Sequence, residues 1–193
     1  KETIGYDHHT SHAATAFYQS DYKEALVFTF DGGGDGGFFN IYKADRTNGI
    51  QLLDKFNQDL GFPYMIIADY LKDIKKEALS IGNLTYAGKI MGLCSYGVVH
   101  DDWVSHFEEF YEKFNYIGNS YIGGAEARYE ALTTLFKNIG FDDFDFESSR
   151  YEGQVAWDLA ATSQQAFENQ FFKFATPYLD AYPNMPVGMA GGC

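Results

Sequence analysis

"EALVFTFDGGGDGGFFNIYKA", residues 24–44, decides the fold. Apolar, β-prone runs flank a turn of five glycines and two aspartates, "DGGGDGG". A second turn signal, "DRTNG", leads into "IQLLDKFN", which reads as a third strand. The product is a three-stranded meander whose most glycine-rich turn follows its best strand. Upstream, residues 9–19 read as a helix carrying Ala13, Ala14, Ala16 and Phe17.

Downstream the period becomes helical. Met65, Ile66, Ala68, Asp69, Tyr70, Leu71 and Ile74 through Leu79 predict a helix from Tyr64 onward. "YAGKIMGLCSYG" reads as a short apolar helix ending at glycine. Residues 103–115 and 125–138 read as amphipathic helices, "FDDFDFESSR" as an acidic loop, and 152–175 as the longest helix. "MPVGMAGGC" begins another strand. The pattern is a mixed α/β fold in three stretches: 1–60 with the histidine helix and the meander, 61–182 helical, and 183–193 with a further strand.

A chain of 193 residues suits one large domain or two small ones, and its 46% hydrophobic content is enough to build a core. No run has the apolar length of a membrane span. "KETIGYDHH" lacks the apolar centre of a signal peptide. The start at Lys1 and the stop on "GMAGGC" read as those of a piece of a longer protein. A net charge of −13 argues against DNA and anionic membranes and reads most simply as solubility. Two cysteines, Cys94 and Cys193, make no disulfide scaffold, so the default compartment is a reducing cytoplasm.

Chemistry concentrates in "YDHHTSHAATAFYQS", which holds three of the five histidines. His8 and His12 stand one helical turn apart, on one face, where they can share a divalent metal. His9 points about 100° away. The plain alternative is a surface helix with incidental histidines. Asp31 strengthens the metal reading, because a carboxylate at a strand end beside a loop without side chains suits a metal or phosphate site. The plain alternative there is a tight Asp-Gly hairpin, but the glycines exceed what a hairpin needs. Gly32, Gly33, Gly34, Asp35 and Gly36 are the candidate phosphate-binding residues. No Gly-Lys-Ser/Thr follows, so this is not a Walker A loop, and the following strand excludes a dinucleotide fingerprint.

"DHHTSHAATAFYQSDYKEALVFTFDGGGDGG" resembles the histidine motif, strand and phosphate hairpin of the carbamoyltransferase family that includes nodulation proteins of the NodU type and antibiotic O-carbamoyltransferases. "YAGKIMGLCSYG", "WDLAATSQQAFE" and "VGMAGGC" resemble that family's short helix, long helix and glycine-rich nucleotide segment, in the same order. The resemblance implies an actin-like ATPase (ASKHA) fold, like that of the tRNA threonylcarbamoylation enzymes, with residues 183–193 as the first strand of its second half. It implies ATP-dependent transfer of a carbamoyl group from carbamoyl phosphate, through carbamoyl-adenylate, to a small-molecule hydroxyl. It also implies a divalent metal, iron first and zinc or manganese as alternatives, on His8, His12 and Asp31, with a fourth ligand beyond Cys193. Gly191 and Gly192 would join the nucleotide site. An adenylate-forming domain of the same chain and a homodimer are the implied partners, and the 193 residues alone are expected to be inactive.

Lys89 is a candidate phosphate ligand or else a solvated lysine. His9 is a candidate general base. Tyr18, Tyr96 and Trp157 read as core or interface aromatics, and Cys94 as a small buried hydrophobe. "FDDFDFE" lacks the calcium-loop pattern and reads as a solvated loop. Rival readings are a threonylcarbamoyl-transferring or other ATPase relative, and a non-catalytic metal-binding module. The charge of −13 weighs against tRNA.

Overall fold

Residues 25–30 are buried without interruption, so strand β1 (Glu24–Phe30) is covered on both faces. The computed structural model describes residues 5–32, 37–75, 85–114, 116–117, 120–121 and 124–192. Strand β1 pairs antiparallel with β2 (Phe39–Asp45), which pairs antiparallel with β3 (Gly49–Phe56). The expected meander is therefore present.

One face of β1 presents Ala25 and Val27, which pack with Tyr42 and Ala44 against Ala13 and Phe17 of helix α1 (His8–Tyr18). The other face presents Leu26, Phe28 and Phe30, which pack with Phe39, Ile41 and Ala175. Helix α1 begins one residue earlier than expected. The Asp7 carboxylate accepts from the Thr10 amide at 2.8 Å and caps an otherwise orphaned donor.

Helix α2 (Gly61–Ala68) differs from the helix expected from Tyr64 onward. It starts earlier because Asp59 Oδ1 accepts from the amides of Gly61 and Phe62, at 2.9 and 3.0 Å. It stops because Tyr70 and Lys72 exchange backbone hydrogen bonds with Tyr151, which draws the chain into an isolated parallel bridge at Leu71. Tertiary pairing overrides helical periodicity there. The last expected residues of that helix, 76–79, lie outside the described residues.

Helices α3 (Thr85–Leu93), α4 (Asp101–Glu112) and α5 (Gly124–Asn138) follow, with a two-residue pair β4 (Tyr116–Ile117) and β5 (Ser120–Tyr121) that periodicity cannot detect. Helix α6 runs from Gln154 to Ala181, 28 residues, or about 42 Å. Its first half lies in a core with α2, α3 and α4, where Leu159, Ala160 and Ala166 are buried. Its second half lays Phe171, Phe174 and Tyr178 on the sheet. This second burial carries the helix past residue 175, where its expected end lay.

Strand β6 (Val187–Ala190) pairs parallel with β1, giving a four-stranded sheet of order β3-β2-β1-β6. Strand β6, within the stretch expected to bring a further strand, thus joins the meander's own sheet. The sheet has α1 on one face and the end of α6 on the other. Among the described residues, no helix is long and apolar enough to cross a membrane.

The 97–100 segment is fastened to α6 by one carboxylate. Asp158 accepts from the Val98 amide at 2.8 Å and from Gln154 at 2.7 Å, and it pairs with His100 Nε2 at 3.1 Å. Burial opposes its ionisation, but the Val98 amide, Gln154 and His100 outweigh that and hold its carboxyl below the usual range. A depressed carboxyl stabilises the fold above its unfolded value and loses that contribution as pH falls through the folded one. Asp158→Ala is expected to cost about 1.5–3 kcal/mol at pH 7, because the Val98 amide, Gln154 and His100 lose a charged acceptor that is itself buried. In paired urea titrations the deficit should shrink toward pH 3. An equal deficit at both pH values would contradict an ionised hub.

Candidate metal centre

Helix α1 and the end of β1 meet at one edge of the sheet. His8 and His12 project from the same helical face, and Asp31 is the first residue after β1. His8 Nε2 and His12 Nε2 each lie 3.0 Å from Asp31 Oδ2, and the two nitrogens are 3.2 Å apart. The side chains are 43%, 32% and 24% exposed, so a ligand can reach the cluster from solvent. Among the described residues, these three form the group able to hold a metal ion.

A closed triangle of this kind cannot be satisfied by protons alone. Burial works against ionisation of Asp31, but His8, the Gly32 amide and His12 hold its carboxyl below the usual range. An ionised carboxylate oxygen only accepts. For both imidazoles to bond it, each Nε2 must carry a proton, and two N–H donors then face each other across 3.2 Å. If either nitrogen is bare, it meets Asp31 Oδ2 lone pair to lone pair. Every assignment leaves one edge without a two-centre hydrogen bond. A divalent cation accepts all three lone pairs together. The edges match the ligand spacing of about 3.3 Å expected for a tetrahedral shell built on bonds of about 2.0–2.1 Å. Two imidazoles and a carboxylate suit iron, zinc or manganese, and three ligands leave a coordination position open.

His9, the expected general base, occupies a different environment. It is fully buried, with Nδ1 2.8 Å from Thr29 Oγ1 and Nε2 2.8 Å from the Gly37 carbonyl oxygen. Desolvation lowers its pKa below the ordinary histidine value. Both nitrogens already have partners, so this geometry favours an anchor over a base. Sequence reasoning missed Thr29 entirely. A signal existed: strand alternation puts Thr29 on the same face as Ala25 and Val27, under the histidine helix.

Gly32 donates its amide to Asp31 Oδ1 at 2.7 Å, which leaves Oδ2 to the histidines. Gly33, Gly34, Asp35 and Gly36 lie outside the described residues. Gly191 and Gly192 run beside the Phe30–Asp31 backbone, where a Cβ on Gly192 would stand 2.9 Å from Asp31 Oδ1. The structure therefore brings these two candidates to the cluster. Lys89 is placed elsewhere. It is exposed on α3, with its ammonium 5.4 Å from the Tyr86 ring centroid, and α3 packs on α2 and α6.

The aromatic expectations divide. Trp157 is partly buried against the helical core, whereas Tyr18 and Tyr96 are exposed. Cys94, expected to be buried, is only half-buried on the short turn after α3, and its thiol donates to the Met91 carbonyl. Burial still pushes that thiol up in pKa, so it is a poor nucleophile.

The family described as carbamoyltransferase N-terminus matches residues 1–193. An uncharacterized protein of Methanocaldococcus jannaschii is 29% identical over 195 residues, covering 100% of this chain and 34% of the relative. The nodulation protein NolNO of Sinorhizobium fredii is 31% identical over 194 residues, covering 96% of this chain and 25% of the relative. The chain thus spans about a third or a quarter of the length of these relatives. With the family's profile matched from Lys1 to Cys193, the chain belongs to the carbamoyltransferase family, in its N-terminal part.

Proposed function

We propose that this chain supplies the metal- and phosphate-binding part of an ATP-dependent carbamoyltransferase with an actin-like ATPase fold. It would act on a carbamoyl group derived from carbamoyl phosphate and carried as carbamoyl-adenylate. The acceptor would be a hydroxyl of a small molecule. The observation that carries the reading is the closed triangle of His8, His12 and Asp31, which calls for a cation.

A divalent metal held there supplies positive charge to the adenylate's phosphate. The chain's own residues do the rest. His8 and His12 offer neutral imidazole lone pairs, and Asp31 offsets the metal charge with one carboxylate. The glycines of the "DGGGDGG" stretch would let a phosphate approach backbone amides. Gly191 and Gly192 bring a second stretch of backbone without side chains close against Phe30 and Asp31. In the transfer, the acceptor oxygen bonds to the carbamoyl carbon as the bond to the AMP phosphate oxygen breaks. AMP leaves, and the hydroxyl proton passes to a base other than His9, whose nitrogens are both engaged.

The test uses the full-length protein, with metal analysis and an assay of AMP release. About one divalent metal per chain is expected, together with AMP release that requires carbamoyl phosphate and is lost on chelation. Metal without carbamoyl phosphate-dependent AMP release would favour the non-catalytic module. AMP release that survives complete metal removal would defeat the metal-assisted reading.

A further inference from the structure

We propose that His9 is a positioning residue which fixes the helix carrying His8 and His12 against strand β1, through Thr29 on one side and the Gly37 carbonyl on the other. The inference rests on the metal reading of His8, His12 and Asp31. His9 itself touches neither metal nor substrate in this scheme.

The argument begins with hydrogen-bond polarity. The Gly37 carbonyl can only accept, so His9 Nε2 carries a proton and donates to it. In the neutral ring Nδ1 is then bare and accepts from the Thr29 hydroxyl. The tautomer and the ring orientation are thereby defined together. Thr29 and His9 are both fully buried, so neither bond exchanges freely with water.

The three anchored positions matter because of what stands beside each. His9 adjoins His8 in the helix and lies within a turn of His12, at ring centroid distances of 5.6 and 6.5 Å. Thr29 precedes Asp31 by two residues on β1. Gly37 leads into β2 through Phe38 and Phe39, and Gly32, just after β1, donates to Asp31 Oδ1. Gly32 and Gly37 are therefore each tied to the cluster's surroundings, one by Asp31 and the other by His9. Gly37 has φ of +111°, and a Cβ there would crowd Lys55, Phe56 and Asn40 at 3.1–3.3 Å. The carbonyl that His9 grips is thus held in a backbone conformation that an L side chain rarely adopts.

Removing the grip frees helix α1 to shift relative to Asp31. Metal sites respond strongly to such changes, since losing an outer hydrogen-bond partner typically costs 10–100-fold in affinity. Thr29→Val keeps the shape of the strand residue and removes only the hydroxyl. His9→Gln can still donate from its amide toward Gly37, whereas His9→Ala cannot.

The experiment is a cobalt(II) titration of the full-length protein, followed by visible absorption, beside circular dichroism. Wild type should bind one cobalt with a defined ligand-field spectrum. Thr29→Val and His9→Ala should bind about 10–100-fold more weakly with an altered spectrum, and His9→Gln should recover part of both. A folded Thr29→Val and a folded His9→Gln with wild-type affinity and spectrum would overturn the proposal, and would do so even if His9→Ala failed to fold. Wild type that takes up no cobalt would overturn the metal reading and this inference with it.

Discussion

Asp31→Asn is expected to abolish stoichiometric metal binding and, with it, the carbamoyl transfer proposed for the full-length protein. The substitution preserves shape and volume, so it isolates charge and donor type. In the native site Oδ2 stands 3.0 Å from both imidazole nitrogens, and Oδ1 takes the Gly32 amide. An asparagine cannot keep both arrangements. With its oxygen toward Gly32, its NH2 group faces the histidines and points protons where a cation would sit. With its oxygen toward the histidines, its NH2 group confronts the Gly32 N–H. A neutral amide oxygen is also a weaker ligand for a dication than a carboxylate. Since losing even an outer partner costs 10–100-fold, losing this ligand is expected to cost at least about 100-fold in affinity. Titration with cobalt or iron(II), with thermal melting as a check on folding, measures it. Wild-type affinity in a folded Asp31→Asn would remove the cluster from consideration as a metal centre.

The parts of this site that were legible in sequence obey local rules. His8 and His12 share a face because a helix repeats every 3.6 residues, and Asp31 ends an apolar, β-prone run that reads as a buried strand. His9 was placed correctly at about 100° from its neighbours. What that direction meant could not be read, because it depends on which element covers that face of α1. The covering element is β1, so the third histidine points into the protein and finds Thr29 rather than a substrate. The end of α2 was illegible for the same reason. It is set by Tyr151, about 80 positions away in sequence, and no local pattern announces that bridge.

The edge at which β6 docks is a more extreme case. Val187 pairs with Leu26 across almost the whole chain, and parallel pairing requires a long crossover. Helix α6 provides it. The helix joins the helical core to the underside of the sheet and then returns the chain beside β1. The sequence placed two glycines after an apolar strand, and the resemblance assigned them to a nucleotide. The structure adds a second reason for them, which is the closeness of β6 to β1 at the end that carries Asp31.

That closeness makes Gly191→Ala the most destabilising single-methyl change expected in the sheet. Gly191 has φ of +122°, a conformation that disfavours any L side chain. A Cβ at this position would lie 1.8 Å from the Phe30 carbonyl oxygen and 2.7 Å from its carbon. These are backbone atoms of a central strand, so no side-chain rotation relieves the overlap. Either β6 withdraws from β1 or β1 bends at the residue before Asp31. A cost of about 3 kcal/mol or more is expected, in the range reserved for backbone strain and forced overpacking. Gly192→Ala should behave differently, since its Cβ would meet only the Asp31 carboxylate, at 2.9 Å. That side chain can turn away, so stability should change little while cobalt affinity falls. Gly88→Ala is the control. It lies exposed in α3 with nothing within 4 Å of the new methyl, and it should gain about 0.5–1 kcal/mol from helix propensity. Urea unfolding of the three variants, each with a cobalt titration, separates the effects. A Gly191→Ala protein as stable as wild type would mean that β6 does not dock against Phe30 in the register Leu26 to Val187 through Thr29 to Ala190.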